Sequence, residues 1–110
     1  MHLIEGPMLR SLQDLIRSKL PYEAVGLILN DGEVVELTNL RGDELHEMLI
    51  SRAELLSALE TQSSIENVVL WHSHPHGGVG PSRTDLKQKT PLPYHLILSV
   101  VNDEIVPTWY

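Results

Sequence analysis

The feature that most constrains the fold is an apolar run that ends in two histidines. Residues 68–71 read Val-Val-Leu-Trp, and His72-Ser73-His74 follows directly. In a β-strand, successive side chains point to opposite faces of the sheet, so His72 and His74 are expected on the same face. Two neighbouring imidazoles supply half of a metal site. The segment therefore predicts a buried strand that carries two potential metal ligands at its end.

A loop rich in glycine and proline then returns the chain towards these histidines. It covers residues 75–81 and is followed by Ser82 and Asp85. Two imidazole nitrogens and one carboxylate oxygen suit a catalytic Zn²⁺ whose fourth coordination position stays open. His72, His74 and Asp85 therefore form a candidate zinc site, and an open site of this kind is typical of an enzyme.

Both halves of this motif also have a purely structural explanation. An isolated His-x-His pair can be two polar residues at a strand end. Residues 82–85, Ser-Arg-Thr-Asp, have the pattern of a capping box, in which Ser82 starts a helix and Asp85 returns to its amide. The strand, the glycine loop and the capped acidic helix occur in one segment, which favours the metal site.

The composition narrows the classes of function. A chain of 110 residues predicts one domain, 1–110, that buries roughly two-thirds of its unfolded surface. A net charge of −7 without a basic patch argues against nucleic-acid binding. The absence of cysteine excludes disulfides and thiolate metal sites. No apolar run reaches membrane-spanning length, so we expect a cytoplasmic protein without a membrane segment.

Helices and strands alternate along the predicted secondary structure. Helical spacing predicts a first helix that opens at Gly6-Pro7 and ends at Pro21, and Asn30-Asp31-Gly32 predicts a hairpin turn between two strands. Further strands are predicted at 65–71, 94–101 and 105–109, and a short helix at 82–89. This alternation predicts an α/β sandwich, with helices packed on a mixed sheet.

Residues 44–60 allow two interpretations. Their apolar residues fit one long amphipathic helix. However, residues 51–54, Ser-Arg-Ala-Glu, form a capping-box pattern, which would start a helix at Arg52 and leave 45–50 as a strand. The second interpretation is preferred.

A carboxylate also stands immediately before the apolar run at 24–29. A hydrolytic zinc site needs a base, and a lone buried carboxylate is energetically costly, which makes Glu23 a candidate. The alternative is that Glu23 is solvated at the mouth of the strand, beside Pro21. Gly26, inside the run, indicates that another backbone packs closely there.

Taken together, these residues resemble the JAMM (MPN-plus) metalloprotease motif: a Glu, later His-x-His, seven residues, Ser, two residues and Asp. Glu23, His72, His74, Ser82 and Asp85 stand at the matching offsets, and the resemblance extends along nearly the whole chain. It implies a single compact MPN-like (cytidine-deaminase-like) α/β sandwich.

The resemblance also implies a role for each residue. His72, His74 and Asp85 would bind one Zn²⁺ per chain. Glu23 would be the general base that takes a proton from the attacking water and delivers it to the leaving amine. Ser82 would donate a hydrogen bond to the oxyanion of the tetrahedral intermediate, where charge appears only in the transition state.

The implied function is a zinc-dependent peptidase or isopeptidase. Members of the family include deubiquitinases, prokaryotic peptidases that cleave ubiquitin-like modifiers, and domains of phage tail-assembly proteins. The expected partner is therefore a protein tail, either that of a ubiquitin-like modifier or a phage tail component, which would place the protein in the host cytoplasm or the virion. The alternative is an assembly protein that keeps a metal site without essential catalysis. A nuclease is disfavoured by the charge of −7.

Overall fold

A five-stranded mixed sheet forms the centre of the molecule in the computed structural model, which describes residues 6–40, 50–76, 78–87 and 90–110. The strand order is β2-β1-β3-β4-β5. Pairs β1–β2, β1–β3 and β4–β5 are antiparallel, and β3–β4 is parallel. The elements in chain order are α1 (Gly6–Lys19), β1 (Val25–Ile28), β2 (Val34–Leu37), α2 (Arg52–Leu59), β3 (Val69–His74), α3 (Arg83–Lys87), β4 (Tyr94–Val101) and β5 (Glu104–Trp109).

Each face of the sheet buries its own apolar cluster. On one face, Leu12 and Ile16 of α1 pack in a cluster that contains Trp71 of β3. On the other face, Leu55 and Leu59 of α2 pack against a cluster that contains residues of β1 and β3. Because side chains alternate along a strand, the face opposite Trp71 receives its neighbour His72. The helices on both faces confirm the predicted α/β sandwich.

Gly26 of β1 lies under the indole of Trp71. A Cβ atom at this position would overlap the carbonyl oxygen of Val35 and would stand 2.6 Å from Cζ2 of Trp71. Only a residue without a side chain fits between the neighbouring strand and the ring. The close backbone approach predicted at Gly26 is confirmed. Trp71 is fully buried, in agreement with the buried strand predicted in this segment.

The predicted boundaries agree with the structure in most elements. The first helix, the hairpin at 30–32 and the closing hairpin are confirmed. The helix start at Arg52 is confirmed too, because the Ser51 side chain accepts a hydrogen bond from the Glu54 amide. The strand expected at 45–50 falls mostly on residues 41–49, outside the described part of the chain, and Ile50 is not in a strand. The described part of the short helix is Arg83–Lys87, and residues 88 and 89 of the predicted helix lie outside the described ranges.

The strand predicted at 65–71 is wrong at both ends. It begins at Val69 and continues to His74, whereas the side chain of Ile65 is 43% exposed. Asn30 explains the late start, because its side chain donates to the carbonyl of Ser64 at 2.6 Å and accepts from the amide of Asn67 at 3.2 Å. These hydrogen bonds hold 64–67 as a turn.

None of the helices in the described ranges is both long and apolar enough to cross a membrane. The assignment of 1–110 to a single domain stays a prediction.

Candidate metal centre

Two histidine side chains converge at the end of the central strand. β3 lies between β1 and β4, with Val25 and Ile97 as the strand partners of His72. His72 is fully buried, His74 is partly buried, and their Nε2 atoms are 3.2 Å apart. The strand therefore places both imidazoles on one face, as the alternation of side chains predicts.

Asp85 reaches the same point from the first turn of α3. The Asp85 amide donates to Ser82 Oγ at 3.0 Å, and the Ser82 amide donates to Asp85 Oδ2 at 2.9 Å, so the predicted capping box is complete. The same carboxylate approaches His72 Nε2 through Oδ1 at 3.2 Å and His74 Nε2 through Oδ2 at 3.1 Å. The capping box and the cluster are thus both present, and the cap fixes the orientation of the carboxylate.

The three groups offer donor types that suit Zn²⁺. The two Nε2 atoms are 3.2 Å apart, His72 Nε2 lies 3.2 Å from Asp85 Oδ1, and His74 Nε2 lies 3.1 Å from Asp85 Oδ2. Ligand atoms of a tetrahedral zinc site stand about 3.3 Å apart, so the two imidazole nitrogens have the spacing that such a site needs, and the carboxylate lies within reach of both.

Glu23 offers a second carboxylate beside the cluster. Ligand atoms of Glu23, His72 and His74 all lie within 4.8 Å of one another, so these residues also form a group that can hold a metal ion. Glu23 is only 6% exposed, which rules out the alternative of a solvated side chain at the strand mouth. Asp85 and Glu23 thus place two carboxylates beside the pair of imidazoles.

Backbone contacts fix Glu23 relative to the histidines. The Ala24 amide donates to Ser73 Oγ at 2.8 Å, and the Ser73 amide donates to the carbonyl of Ala24 at 2.9 Å. The side chain of Asn39 donates to the Glu23 carbonyl at 3.0 Å. The start of β1 and the end of β3 are therefore tied together on either side of the cluster.

The charges of the cluster shift the pKa values of its members. Burial alone would raise the pKa of Asp85, but hydrogen bonds from His72 and His74 hold it well below its usual range. Burial alone would lower the pKa of His74, but the hydrogen bond to Asp85 and the one to the Gly78 carbonyl raise it overall. Burial, with the negative charges of Asp85 and Glu23 nearby, raises the pKa of Tyr110 to about 12.

A cavity of about 290 Å³ opens above the cluster. Its lining includes Glu23, His74 and Ser82, so the structure brings all five motif residues to one place. A second cavity, of about 240 Å³, lies on the other side of Glu23 and extends to Asn39.

Several contacts around the cluster escape sequence analysis. Gly78 places its carbonyl on His74, and Ser99 of β4 donates to the same carbonyl. Tyr110 sets its ring edge-on to His72, with the centroids 6.2 Å apart. His76 is exposed, and its Nε2 donates to the carbonyl of Pro21 at 2.9 Å. Nothing in the sequence pairs these residues, since each contact depends on the tertiary arrangement.

The fold and the cluster define a class: an α/β sandwich with a candidate metal centre at the end of its central strand. The family model for prokaryotic homologs of the JAB domain matches residues 6–109, and the chain belongs to this family. The JAB family includes metal-dependent hydrolases of the JAMM type. The resemblance and the fold expected from the sequence are both confirmed.

A solved structure supports the same conclusion. The solution structure of protein DSY2949 from Desulfitobacterium hafniense is similar, with a TM-score of 0.71 and 25% sequence identity. The match covers 93% of this chain and 77% of that chain. No curated protein matches the chain.

Proposed function

We propose that this protein is a zinc-dependent peptidase or isopeptidase that hydrolyses an amide bond in an extended protein tail. The observation that carries the proposal is the convergence of His72, His74 and Asp85, with donor atoms 3.1–3.2 Å apart, beside the buried carboxylate of Glu23. Membership of a family that includes metal-dependent hydrolases supports it. His72, His74 and Asp85 are the proposed ligands of one Zn²⁺.

The cation supplies Lewis-acid chemistry when bound, since it polarises a carbonyl and lowers the pKa of water from about 15.7 to about 7. The Glu23 carboxylate accepts the proton of the attacking water and transfers it to the nitrogen of the leaving amine. Its burial keeps it beside the imidazoles instead of in bulk solvent. His72, His74 and Asp85 would hold the cation, with the Glu23 carboxylate beside them.

Ser82 is the proposed donor to the oxyanion. Its Oγ accepts a hydrogen bond from the Asp85 amide at 3.0 Å, so the hydroxyl hydrogen remains available for the substrate. The cap also fixes the position of Oγ at the edge of the cavity above Glu23 and His74. A prepositioned donor of this type stabilises the negative charge that develops on the carbonyl oxygen.

The two cavities that meet at Glu23 support an extended substrate. One touches Ser82 and the loop after β3, and the other runs from Glu23 towards Asn39. A peptide that occupies both would place its scissile bond beside the proposed base. The tail of a ubiquitin-like protein and a component of a phage tail are the two substrates we propose. A cytoplasmic location stays a prediction.

The decisive experiment combines metal content with turnover of ubiquitin-like fusions and tail proteins. Wild type should carry about one zinc per chain, and His74→Ala should lose it. Glu23→Gln should keep the zinc while turnover falls by about 10²-fold or more, because the proton transfer is lost. Glu66→Gln is the matched control, since Glu66 is exposed in the turn before β3 and lines neither cavity.

Two outcomes would contradict the proposal. Full activity in Glu23→Gln would remove Glu23 as the base. If the folded wild-type protein takes up no metal, even when zinc is supplied, the proposal of a zinc-dependent enzyme is wrong.

An assembly role is the second candidate, and a surface groove favours it. A cavity of about 740 Å³ lies between α2 and residues 90–92, with apolar side chains at its edge. Leu56 and Ile65 in this lining are 50% and 43% exposed. Exposed apolar surface of this kind marks protein–protein contact sites. A complex that forms equally well with chelated metal and with Glu23→Gln would support this role.

A further inference from the structure

We infer that Ser99 is a positioning residue of the proposed metal centre, and that it orients His74 through the backbone carbonyl of Gly78. The inference rests on the proposed function, because it assigns Ser99 a role towards the metal ligand His74. It adds a residue from β4 to a centre otherwise built by β1, β3 and α3.

The contact follows from the register of the parallel strands. His74 at the end of β3 is the partner of Ser99 in β4. Ser99 is fully buried, and its hydroxyl donates to the Gly78 carbonyl oxygen at 2.7 Å. The same oxygen interacts with His74 Nδ1 at 2.9 Å. One carbonyl thus joins the imidazole to the neighbouring strand.

The Gly78 carbonyl determines which ring nitrogen of His74 carries the hydrogen and which nitrogen can bind a metal ion. A carbonyl oxygen only accepts hydrogen bonds, so Nδ1 must carry the hydrogen. When the ring is neutral, as a metal ligand must be, its lone pair then lies on Nε2, the atom that donates to Asp85 Oδ2 when the ring is protonated. Metal-binding histidines commonly use the second nitrogen in this way, which fixes the tautomer and the ring orientation.

Ser99 is needed because Gly78 lies in an exposed loop. Gly78 is exposed, whereas the Ser99 hydroxyl projects from the buried interior of β4. A loop carbonyl without this second hydrogen bond is free to rotate away from the imidazole. A buried hydroxyl also has no water to replace its partner, so the bond is costly to break.

The two histidines differ in this respect. His72 Nδ1 is buried and has no hydrogen-bond partner in the part of the chain described. The ring of His72 is held by packing, including the edge-on contact with Tyr110. Only His74 therefore depends on a hydrogen-bonded carbonyl for its orientation.

Zinc affinity, measured by competition with a chelating dye, tests the inference. Ser99→Ala should bind zinc about tenfold more weakly than wild type, the loss typical when a group behind a metal ligand is removed. Ser18→Ala is the matched control and should bind as wild type does. The Ser18 hydroxyl also donates to a backbone carbonyl, that of Leu15 at 2.7 Å, but it lies on α1, away from the cluster.

The outcomes separate this inference from the proposed function. Equal zinc affinity in wild type and a folded Ser99→Ala would overturn the role of Ser99 and leave the metal centre intact. Failure of wild type to bind zinc would overturn the proposed function and this inference together.

A spectrum of the wild-type protein tests the tautomer without any substitution. Long-range ¹H–¹⁵N correlation of the zinc-loaded protein should show the His74 hydrogen on Nδ1, with slow exchange with solvent. In Ser99→Ala, this hydrogen should exchange at least several-fold faster while the signals of His72 stay in place. A hydrogen on Nε2 of His74 in wild type would overturn the inference, even if Ser99→Ala failed to fold.

Discussion

Asp85 serves two structural purposes with one carboxylate. Oδ2 accepts from the Ser82 amide at 2.9 Å and lies 3.1 Å from His74 Nε2, while Oδ1 faces His72. The helix start therefore orients the proposed ligand without any additional residue. This is why the capping and metal-site interpretations of residues 82–85 are compatible.

Substitution of Asp85 should separate these two purposes. Asp85→Asn keeps a cap-forming side chain but replaces a charged ligand with a neutral amide, so zinc binding should weaken by at least about 10-fold. Helix content measured by circular dichroism should be nearly unchanged. If Asp85→Asn binds zinc as tightly as wild type does, Asp85 is not a ligand. Asp103→Asn in the β4–β5 turn is the control and should leave zinc affinity unchanged.

Four of the five motif residues were predictable because their chemistry and spacing lie within one short segment, whereas Glu23 was a candidate only because it stands before an apolar run. His72, His74, Ser82 and Asp85 fall within a strand, a loop and the first turn of a helix, and local rules place each of them. Ser99 was not predictable, because its contact depends on the register of the parallel pair β3–β4. Local sequence patterns carry no information on that register.

Gly26 lies at a position in the sheet that has no space for a side chain. Gly26→Ala places a methyl group against the Val35 carbonyl and the ring of Trp71, so strands must move apart. We expect the free energy of unfolding to fall by about 3 kcal/mol or more, at the upper end for overpacked cores. Denaturant unfolding measures this loss. A change below about 1 kcal/mol would contradict the packing described, with Gly78→Ala as the tolerated control.

At the scale of elements, α2 departs from the expected capping box in an informative way. Ser51 accepts from the Glu54 amide at 3.3 Å, as the pattern predicts. The Glu54 carboxylate instead accepts from the amide of Thr38 at 2.6 Å and from its hydroxyl at 3.0 Å. The sequence pattern predicted the helix start correctly. It did not predict this link to the end of β2, because Thr38 and Glu54 are 16 positions apart in the chain.

Loss of this link should destabilise the protein modestly. Glu54→Ala removes the acceptor of two hydrogen bonds that are partly exposed, so we expect a loss of about 1 kcal/mol. For a domain of this size, that corresponds to a fall in Tm of roughly 4–8 °C. Glu66→Ala, at an exposed turn, should change Tm by less than about 4 °C, because surface substitutions usually stay within about 0.5 kcal/mol. Equal Tm values in both variants would show that the hydrogen bonds between Glu54 and Thr38 do not stabilise the protein.

At the scale of the whole molecule, the proposed site connects elements far apart in the chain. Glu23 precedes β1, both histidines end β3, and Asp85 begins α3 after a loop. The alternation of helices and strands was sufficient to predict an α/β sandwich, but the strand order required the three-dimensional structure. A ligand that contacts several of these elements should stabilise the native state as a unit.

Zinc should therefore raise the thermal stability of the intact protein. At free zinc about 100 times the Kd, binding contributes about 2.7 kcal/mol. For a domain of this size, that is a rise in Tm on the order of 10 °C. Differential scanning calorimetry with and without chelator measures the rise. It should be absent in His74→Ala, and an equal rise in that variant would place the stabilising zinc elsewhere.

The unequal anchoring of the proposed ligands has a kinetic consequence. His72 and His74 belong to a strand paired on both sides, whereas Asp85 stands in the first turn of α3, which is described from Arg83 to Lys87 and is paired with no strand. Short peripheral elements open far more often than a whole domain unfolds. A bound ion should then escape through transient fraying of α3, on a timescale much shorter than the lifetime of the native sheet.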